Sequence, residues 1–317
     1  MALNQLPQAF VERLKYIVPP HRWTDTVAGF RRPPPTCFRV NSLKSGVDSV
    51  LGELQRQGIE PQPVSWNTHS FVVPDYQRTA LTHSPVFTEG RIYIHNLSSI
   101  FATQILAPTP GEEVLDLAAA PGGKTLALAC AMENRGRIAA VEVVKSRFFR
   151  LKSNVEIHAA SIVECYLKDG RQVGRQVPER FDRVLLDAPC SSEARFYLGE
   201  PETFRYWSEK KVKEMQRKQK QLLHSALQAL KPGGVLVYST CSFAPEENEL
   251  VIDRQLRKWG RALQLLKFEP PFGNYQPGLT EWKGKRLDPC LDRAVRILPS
   301  ATMEGFFVCA IEKAGCD

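Results

Sequence analysis

Two of the eight cysteines stand where the sequence pattern would expose a reactive thiol. Cys190 lies in LLDAPCSS and Cys241 in YSTCS, each just after the carboxyl end of a predicted strand. The helical segment between them implies a right-handed crossover, which would set the two strands side by side. Either cysteine alone would more often be a small core residue. Two at equivalent strand ends, one of them close to Asp187, indicate a shared crevice suited to thiol chemistry.

A glycine turn and two acids indicate a ligand site at the same predicted crevice. DLAAAPGGKT, Asp116–Thr125, leaves a strand and enters a helix, whose free N–H groups would face a ligand. Glu142 ends the second strand, 19 residues after Gly123, and Asp169 ends the third. An acid at this offset of about 20 residues is typical of a ribose contact. The turn matches neither G-x-G-x-x-G nor the Walker pattern, so an adenosyl cofactor fits better than a dinucleotide or a nucleoside triphosphate.

Strand-like and helical segments alternate from Pro110 onward. The predicted strands lie in EEVLDLAAAPGG, GRIAAVE, SIVECYLKD, RVLLDAP and VLVYSTCS. A long predicted helix precedes the fifth strand and ends at a KPGG turn. This alternation is typical of an α/β fold with a doubly wound, mainly parallel sheet. LQLLKFEP and GFFVCAIEK in the tail are predicted to add antiparallel edge strands.

The region before this alternation has a different pattern. TCFRVNS and SFVVP are predicted strands, and VDSVLGELQRQG is a predicted helix that ends at Gly58. RRPPP, Arg31–Pro35, is a stiff connector, because proline fixes φ. We therefore expect residues 1–95 to form a small α+β accessory domain that binds RNA, and residues 96–317 to form the catalytic domain.

Composition and motifs argue against a membrane-spanning, a secreted or a metal-binding protein. Hydrophobic content is 43%, and no apolar run reaches the ~20 residues of a membrane helix. The N-terminal segment has charges among its apolar positions, which indicates an amphipathic helix rather than a signal peptide. No C-x-x-C pair is present, so we expect no metal site, reduced thiols and a cytoplasmic location. A net charge of +8 is equally compatible with a protein that binds nucleic acid and with one that is basic but does not.

The motifs together resemble a known family. DLAAAPGGKT, LLDAPCSS and YSTCSFAPEENE, with FRVNSLK before them and EGFF near the end, are similar to the RsmB/NOP/Sun family of RNA (cytosine-5) methyltransferases. The opening LPQAFVERLKYIVPP is most similar to the RsmF-like branch, which acts on small-subunit ribosomal RNA. The resemblance covers about Thr36 to Lys313 and implies a Rossmann-like class I methyltransferase fold. The sequence departs from the family at Ala118, where many members carry Cys, and at His95–Asn96, where Gln and a polar residue are usual.

The resemblance also implies a reaction and a cofactor. Cytosine C5 becomes nucleophilic once a thiolate adds to C6, and the resemblance assigns this attack to Cys241. It gives Cys190 the role of general base in release, gives Asp187 contact with the N3/N4 edge of cytosine, and puts Lys124 between cofactor and target. S-adenosylmethionine would contact Ala118, Ala119, Ala120, Pro121, Gly122, Gly123, Lys124, Glu142 (ribose hydroxyls), Arg147, Asp169 (adenine amino group) and Asp187.

The RNA contact is less sharply marked. The segment Arg205–Gln221 carries seven basic and two acidic residues with Tyr206 and Trp207, which suits phosphate contact and base stacking or, equally, a solvated helix face. A second basic patch is predicted from Arg31, Arg32, Arg39 and Lys44. Glu246 and Glu247 are interpreted as acids of a first helical turn.

Ribosomal RNA is the first expectation for the substrate. Transfer RNA is the second, because short members of the family, without the extra C-terminal RNA-binding region usual in the RsmF-like branch, include enzymes that act on transfer RNA. A DNA cytosine-5 methyltransferase would carry PCQ where this sequence has PCS, and a non-catalytic assembly factor need not keep Cys241 and the glycine turn. We expect a monomer without a membrane partner.

Overall fold

The computed structural model of the protein describes residues 3–33 and 36–315. The helices are α1 (Gln8–Ile17), α2 (Trp23–Gly29), α3 (Val47–Arg56), α4 (Arg78–His83), α5 (Pro85–Thr88), α6 (Leu97–Leu106), α7 (Gly123–Ala131), α8 (Lys145–Ile157), α9 (Val173–Gln176), α10 (Glu209–Ala229) and α11 (Glu249–Trp259). The strands are β1 (Thr36–Val40), β2 (Gln62–Val64), β3 (Asn67–Val73), β4 (Ile92–Ile94), β5 (Glu113–Asp116), β6 (Arg137–Glu142), β7 (Val163–Leu167), β8 (Phe181–Asp187), β9 (Leu230–Thr240), β10 (Leu263–Leu266), β11 (Tyr275–Pro277), β12 (Glu281–Trp282), β13 (Lys285–Arg286), β14 (Val295–Ile297) and β15 (Phe306–Lys313). Across the described ranges, none of the helices combines the length and apolar character needed to cross a membrane.

A nine-stranded sheet organises the larger part of the chain. Its order is β11-β14-β15-β9-β8-β5-β6-β7, with β10 also paired to β15. The pairs from β7 to β9 are parallel, and β15 runs antiparallel to β9. Because successive side chains of a strand alternate in direction, Leu186 and Leu185 enter different apolar clusters on the two faces. The predicted Rossmann-like class I methyltransferase fold is confirmed, and the carboxyl ends of β5 to β9 meet at one edge.

Two details of this sheet differ from the sequence prediction. GFFVCAIEK is not an edge strand, since β15 lies between β9 on one side and β14 and β10 on the other. Every residue of β15 except Glu312 is buried, and such a strand needs neighbours on both sides. The KPGG segment is not a separate turn but the start of β9, where Gly233 has φ +77 and the register with β8 shifts. β10 does lie at an edge, as predicted.

The small sheet near the N-terminus is antiparallel, with the order β2-β3-β1-β4. It has an apolar core of its own, which includes Phe38, Leu54 and Phe71. The two predicted strands and the predicted helix are confirmed as β1, β3 and α3, whereas β2 and β4 were missed. After α3 the chain turns at Gly58, whose φ of +73 favours glycine.

Helices α1 and α2 lie within the predicted accessory domain but contact the larger part of the chain. The Phe10 ring is 4.9 Å from the ring of Phe196 and 5.8 Å from that of Trp207. Arg13 forms a buried ion pair with Glu246 at 2.5 Å. The domain division at residue 95 stays a prediction, and the predicted connector at 31–35 extends beyond the described residues.

Candidate active site

The two cysteines singled out by the sequence lie in contact. Strands β8 and β9 are neighbours in parallel register, with Asp187 opposite Ser239, so both loops leave the sheet at the same edge. The Sγ atoms of Cys190 and Cys241 are 3.2 Å apart. Both side chains line a cavity of about 550 Å³. The predicted shared crevice is therefore present.

The surroundings of the cysteine pair favour ionisation of Cys241. Its pKa lies below the ordinary value because the Cys190 thiol donates a hydrogen bond to it, with the positive charge of Arg195 and a hydrogen bond with Ser192 helping against burial. The pKa of Cys190 is raised well above its ordinary value by that same hydrogen bond and by burial. Of the two thiols, Cys241 therefore ionises more readily, and Cys190 is its hydrogen-bond donor.

Three cysteines away from this pair have raised pKa values, unlike Cys241. Burial raises the pKa of Cys37 and of Cys290 to about 12, and raises that of Cys309 further. Within the described ranges, which leave out Cys316, no group of His, Cys, Asp and Glu could hold a metal ion. Their location at the cavity, together with the lowered pKa of Cys241, separates Cys190 and Cys241 from these thiols.

The glycine turn shapes one wall of the same cavity. Ala118 and Ala120 line it, together with Leu117, whereas the predicted residues Ala119, Pro121, Gly122, Gly123 and Lys124 are not among its lining residues. Gly122 has φ +112 at the start of α7. A Cβ on Gly123 would lie 2.7 Å from the ring of Tyr93, so only glycine fits there.

Three predicted acids and Arg147 line the cavity as well. Glu142 is buried at the end of β6 and accepts a hydrogen bond from the backbone N–H of Val144 at 2.8 Å. Arg147 lies 3.6 Å from Glu142 and donates to the carbonyl of Ala120 at 2.5 Å, so it joins the acid to the glycine turn. Hydrogen bonds from Arg171 lower the pKa of Asp169, which is therefore ionised.

Lys124 and Asp187 form an ion pair that links the glycine turn to the cysteine loop. Lys124 Nζ is 2.7 Å from Asp187 Oδ2, and the Lys124 side chain is 11% exposed. Ser239 donates a hydrogen bond to the other oxygen, Oδ1, of Asp187 at 2.9 Å. Lys124 is thus held at the site rather than being a solvent-exposed lysine of the helix N-terminus.

Several residues around the cysteines were missed or misread in the sequence. Arg195, in the turn after Ser192, lines the cavity, and the backbone of that turn donates from Ala194 N to Cys241 O at 3.0 Å. The interpretation of Glu247 as a first-turn helical acid is wrong, because α11 begins only at Glu249 and Glu247 is fully buried beneath the cysteine loops. Glu246 is likewise outside the helix, in the ion pair with Arg13. No local periodicity marks these residues, since their partners come from distant segments.

The departure from the family at residues 95–96 has a structural counterpart. His95 is buried against Gly123, with its ring at right angles to that of Tyr93. Burial, and then the nearby positive charges of Lys124 and Arg39, hold its pKa well below the ordinary value, so the ring is neutral. Asn96 caps α6 by accepting a hydrogen bond from Ser98 N.

The two predicted basic patches each combine exposed and buried residues. In the first, Tyr206 is 76% exposed beside Arg205, but Trp207 donates its indole N–H to the buried Glu193 and packs on Phe10. Met215, Lys218 and Leu222 of α10 reach the cavity wall. In the second patch, Arg31, Arg32 and Lys44 are exposed, and Lys44 donates to the carbonyls of Glu89 and Ile157. Only Arg39 was wrongly included, since it is 5% exposed because β1 lies inside the small sheet.

Known proteins share both parts of this chain. Residues 103–312 match the family model of 16S rRNA methyltransferase RsmB/F, and residues 6–96 match that of the N-terminal domain of 16S rRNA methyltransferase RsmF. Ribosomal RNA small subunit methyltransferase F of Vibrio campbellii is 35% identical over 313 residues, and that of Vibrio vulnificus 36%. These alignments cover 97% of this chain but only 63–64% of the relatives, so the chain spans less than two thirds of their length.

Solved structures have the same fold. A methyltransferase homolog protein from Pyrococcus horikoshii is 33% identical with a TM-score of 0.82, and the match covers 99% of this chain and 100% of that one. The crystal structure of NSun6 from Pyrococcus horikoshii with SFG has a TM-score of 0.84 over the same shares, and its 21% identity supports the fold alone.

Proposed function

The chain belongs to the RsmB/F family of 16S rRNA methyltransferases, and we propose that it transfers a methyl group from S-adenosylmethionine to carbon 5 of cytosine in RNA. The observation that carries this proposal is the contact between Cys190 and Cys241, at 3.2 Å, in a cavity that also contains Glu142 and Asp169. Two thiols of different acidity beside a site for an adenosyl group suit a reaction in which one thiol attacks and the other manages a proton.

The residues of the cavity fit an adenosyl cofactor. Glu142 would hold the ribose hydroxyls, Asp169 would accept from the adenine amino group, and Arg147 would lie beside them, between Glu142 and the carbonyl of Ala120. Ala118 has a short side chain, which lets the ligand approach the glycine turn closely. When bound, S-adenosylmethionine supplies an electrophilic methyl group on a sulfonium.

The chemistry at the cytosine falls to the cysteine pair and the ion pair beside it. The Cys241 thiolate adds to C6, and C5 then becomes nucleophilic. The Asp187 carboxylate would accept from the N4 amino group, while Lys124, 2.7 Å from Asp187, contributes positive charge as the ring gains electrons. After methylation, Cys190 takes the C5 proton; the C5–C6 double bond re-forms, and Cys241 leaves as a thiolate.

The mutual interaction of the two cysteines supports this assignment of their roles. The negative charge of Cys241 is one cause of the raised pKa of Cys190. Once Cys241 is bonded to C6, that charge is gone and Cys190 ionises more readily, as a base for the later step requires. The pair therefore suits one thiol for addition and the other for release.

The RNA-binding surface would begin at the cavity and continue along α10. Lys218 lines the cavity, and Lys210, Lys213 and Arg217 are on the same helix. A basic helix beside a cavity suits a single-stranded or flipped nucleotide. Small-subunit ribosomal RNA is the proposed substrate and transfer RNA the second candidate; the monomeric state and cytoplasmic location stay predictions.

The test uses purified protein, S-adenosylmethionine and two RNAs, a small-subunit ribosomal RNA transcript and a transfer RNA transcript. Bisulfite sequencing should reveal 5-methylcytosine in the ribosomal transcript, and C241A should abolish it. C190A should accumulate a covalent RNA–protein adduct, visible on a denaturing gel, because release is blocked. Methylation by C241A, or no 5-methylcytosine in either RNA, would contradict the proposal; methylation of the transfer RNA alone would move the substrate to the second candidate.

A further inference from the structure

A buried carboxyl group joins the two loops that carry the cysteines. Ser191 follows Cys190, and Ser242 follows Cys241. Glu247 Oε2 accepts from Ser191 N at 2.9 Å, while its Oε1 lies in a short hydrogen bond with the Ser191 hydroxyl and 3.1 Å from the Ser242 hydroxyl. The Ser191 and Ser242 hydroxyl oxygens are themselves 3.2 Å apart. One side chain thus contacts the residue next to each cysteine.

Residues of α10 and β9 also form hydrogen bonds with Glu247. Gln219 donates through Nε2 to Glu247 Oε2 at 2.9 Å and to the carbonyl of Pro189, next to Cys190, at 3.0 Å. Tyr238 of β9 donates its hydroxyl to the Glu247 carbonyl. Glu247 and Gln219 are each 0% exposed, so water cannot replace these contacts.

The hydroxyl contacts outnumber the available protons. Four contacts within hydrogen-bonding distance join oxygen atoms of Ser191, Ser242, Glu247 and Glu193: Ser191 to Glu247, Ser191 to Ser242, Ser242 to Glu247, and Ser242 to Glu193. Two serine hydroxyls supply only two protons. A third proton on a carboxyl oxygen turns another contact into a hydrogen bond, and buried polar contacts without a proton are costly.

Glu247 is the better of the two carboxyl groups to hold that proton. Burial raises the pKa of Glu193 too, but the N–H donors of Trp207 and Phe243, at 2.9 Å each, and the positive charge of Arg13 oppose that rise. Glu247 also accepts two N–H donors, but it has contacts with two serine hydroxyls, whereas Glu193 has one. Burial, and then the negative charge of Glu193, raise the pKa of Glu247 to about 7. The other titratable groups that face Glu247 are Cys190 and Tyr238.

We propose that Glu247 is a positioning residue for Cys190 and Cys241, and that it holds their loops together as a neutral carboxylic acid. As the pH rises past neutrality the acid loses its proton, and the two loops are held less tightly. The importance of this for methyl transfer rests on the function proposed above, whereas the loop contact itself can be measured without RNA or cofactor.

The first measurement is the rate at which diamide oxidises the Cys190–Cys241 pair to a disulfide, followed by peptide mass spectrometry. The two thiols lose two protons and two electrons, and the diamide is reduced to the hydrazine. E247Q has the shape and hydrogen-bond donors of the neutral acid, while E247A removes the link. E246Q, which alters the neighbouring carboxyl outside this cluster, is the matched control.

At pH 6, the E247Q and E246Q proteins should match the wild type within about twofold, and E247A should be slower by about tenfold or more, because small displacements sharply lower such rates. At pH 8.5, E247Q should exceed the wild type, since only the wild type has lost its acid proton. An infrared difference spectrum, wild type minus E247Q, should contain the C=O band of a buried carboxylic acid at pH 6 that weakens at pH 8.5.

Equal rates for folded E247A and wild type would overturn the positioning role. A ratio of E247Q to wild type that does not change with pH, without an acid band, would overturn the neutral form. If E247A does not fold, the E247Q ratio and the infrared band still decide both points. Failure to methylate RNA would leave these results unchanged, so it would count against the proposed function alone.

Discussion

Replacing Cys190 by alanine tests how the cysteine pair divides its roles. The substitution removes the S–H donor that lies 3.2 Å from Cys241 Sγ. A hydrogen bond to a charged group contributes about 1.5–3 kcal/mol, and 1.36 kcal/mol corresponds to one pKa unit. The pKa of Cys241 should therefore rise by roughly 1–2 units in C190A. Because the pKa of Cys241 lies at about 7 in the wild type, its thiolate fraction at neutral pH should fall by about 5- to 50-fold.

The assay is the rate of iodoacetamide alkylation of Cys241, followed by peptide mass spectrometry between about pH 5.5 and 9.5, because only the thiolate reacts. C190S is the matched control: its hydroxyl keeps a donor, so the midpoint should shift less than in C190A. No RNA or cofactor is needed. Midpoints that agree within about 0.3 unit for wild type, C190A and C190S would refute the idea that Cys190 activates Cys241.

Three further predictions concern groups around the pair. E142Q should weaken binding of S-adenosylhomocysteine by about tenfold in calorimetry, because one charged hydrogen-bond acceptor is lost; unchanged affinity would remove Glu142 from the site. K124M should slow methylation by about 100-fold with folding intact, since Lys124 neutralises charge beside Asp187; wild-type turnover would contradict that role. Burial raises the pKa of Asp116 from 3.8 to about 7, so its contribution to stability is full below pH 3.8 and is lost as the pH rises through 7. Between pH 3.8 and 7, the free energy of unfolding of the wild type should therefore fall by up to about 4 kcal/mol more than that of D116N, as measured in urea titrations. Parallel curves for the two proteins would refute this.

Most of the larger sheet could be predicted because its signals are local. Alternating apolar segments and glycine turns identify β5 to β9, and strand ends follow from where the apolar run stops. The position of β15 could not be predicted in this way, because pairing partners far apart in sequence decide whether a strand is at an edge. Arg39 was misplaced for a related reason: its neighbours in β3 and β4 cover a strand that looks exposed in the linear pattern.

The sequence by itself determined which residue types stand at the strand ends, including Cys190, Cys241, Glu142 and Asp169, since strand period and turn residues are properties of short segments. Tertiary structure alone decided that the two thiols, 51 residues apart, touch at 3.2 Å, and that Cys241 is the more acidic. It also turned Glu247 from a presumed helix-terminal acid into a buried link between their loops. Ionisation and hydrogen bonding depend on burial and on neighbours in space, and neither is written in the spacing of residues along the chain.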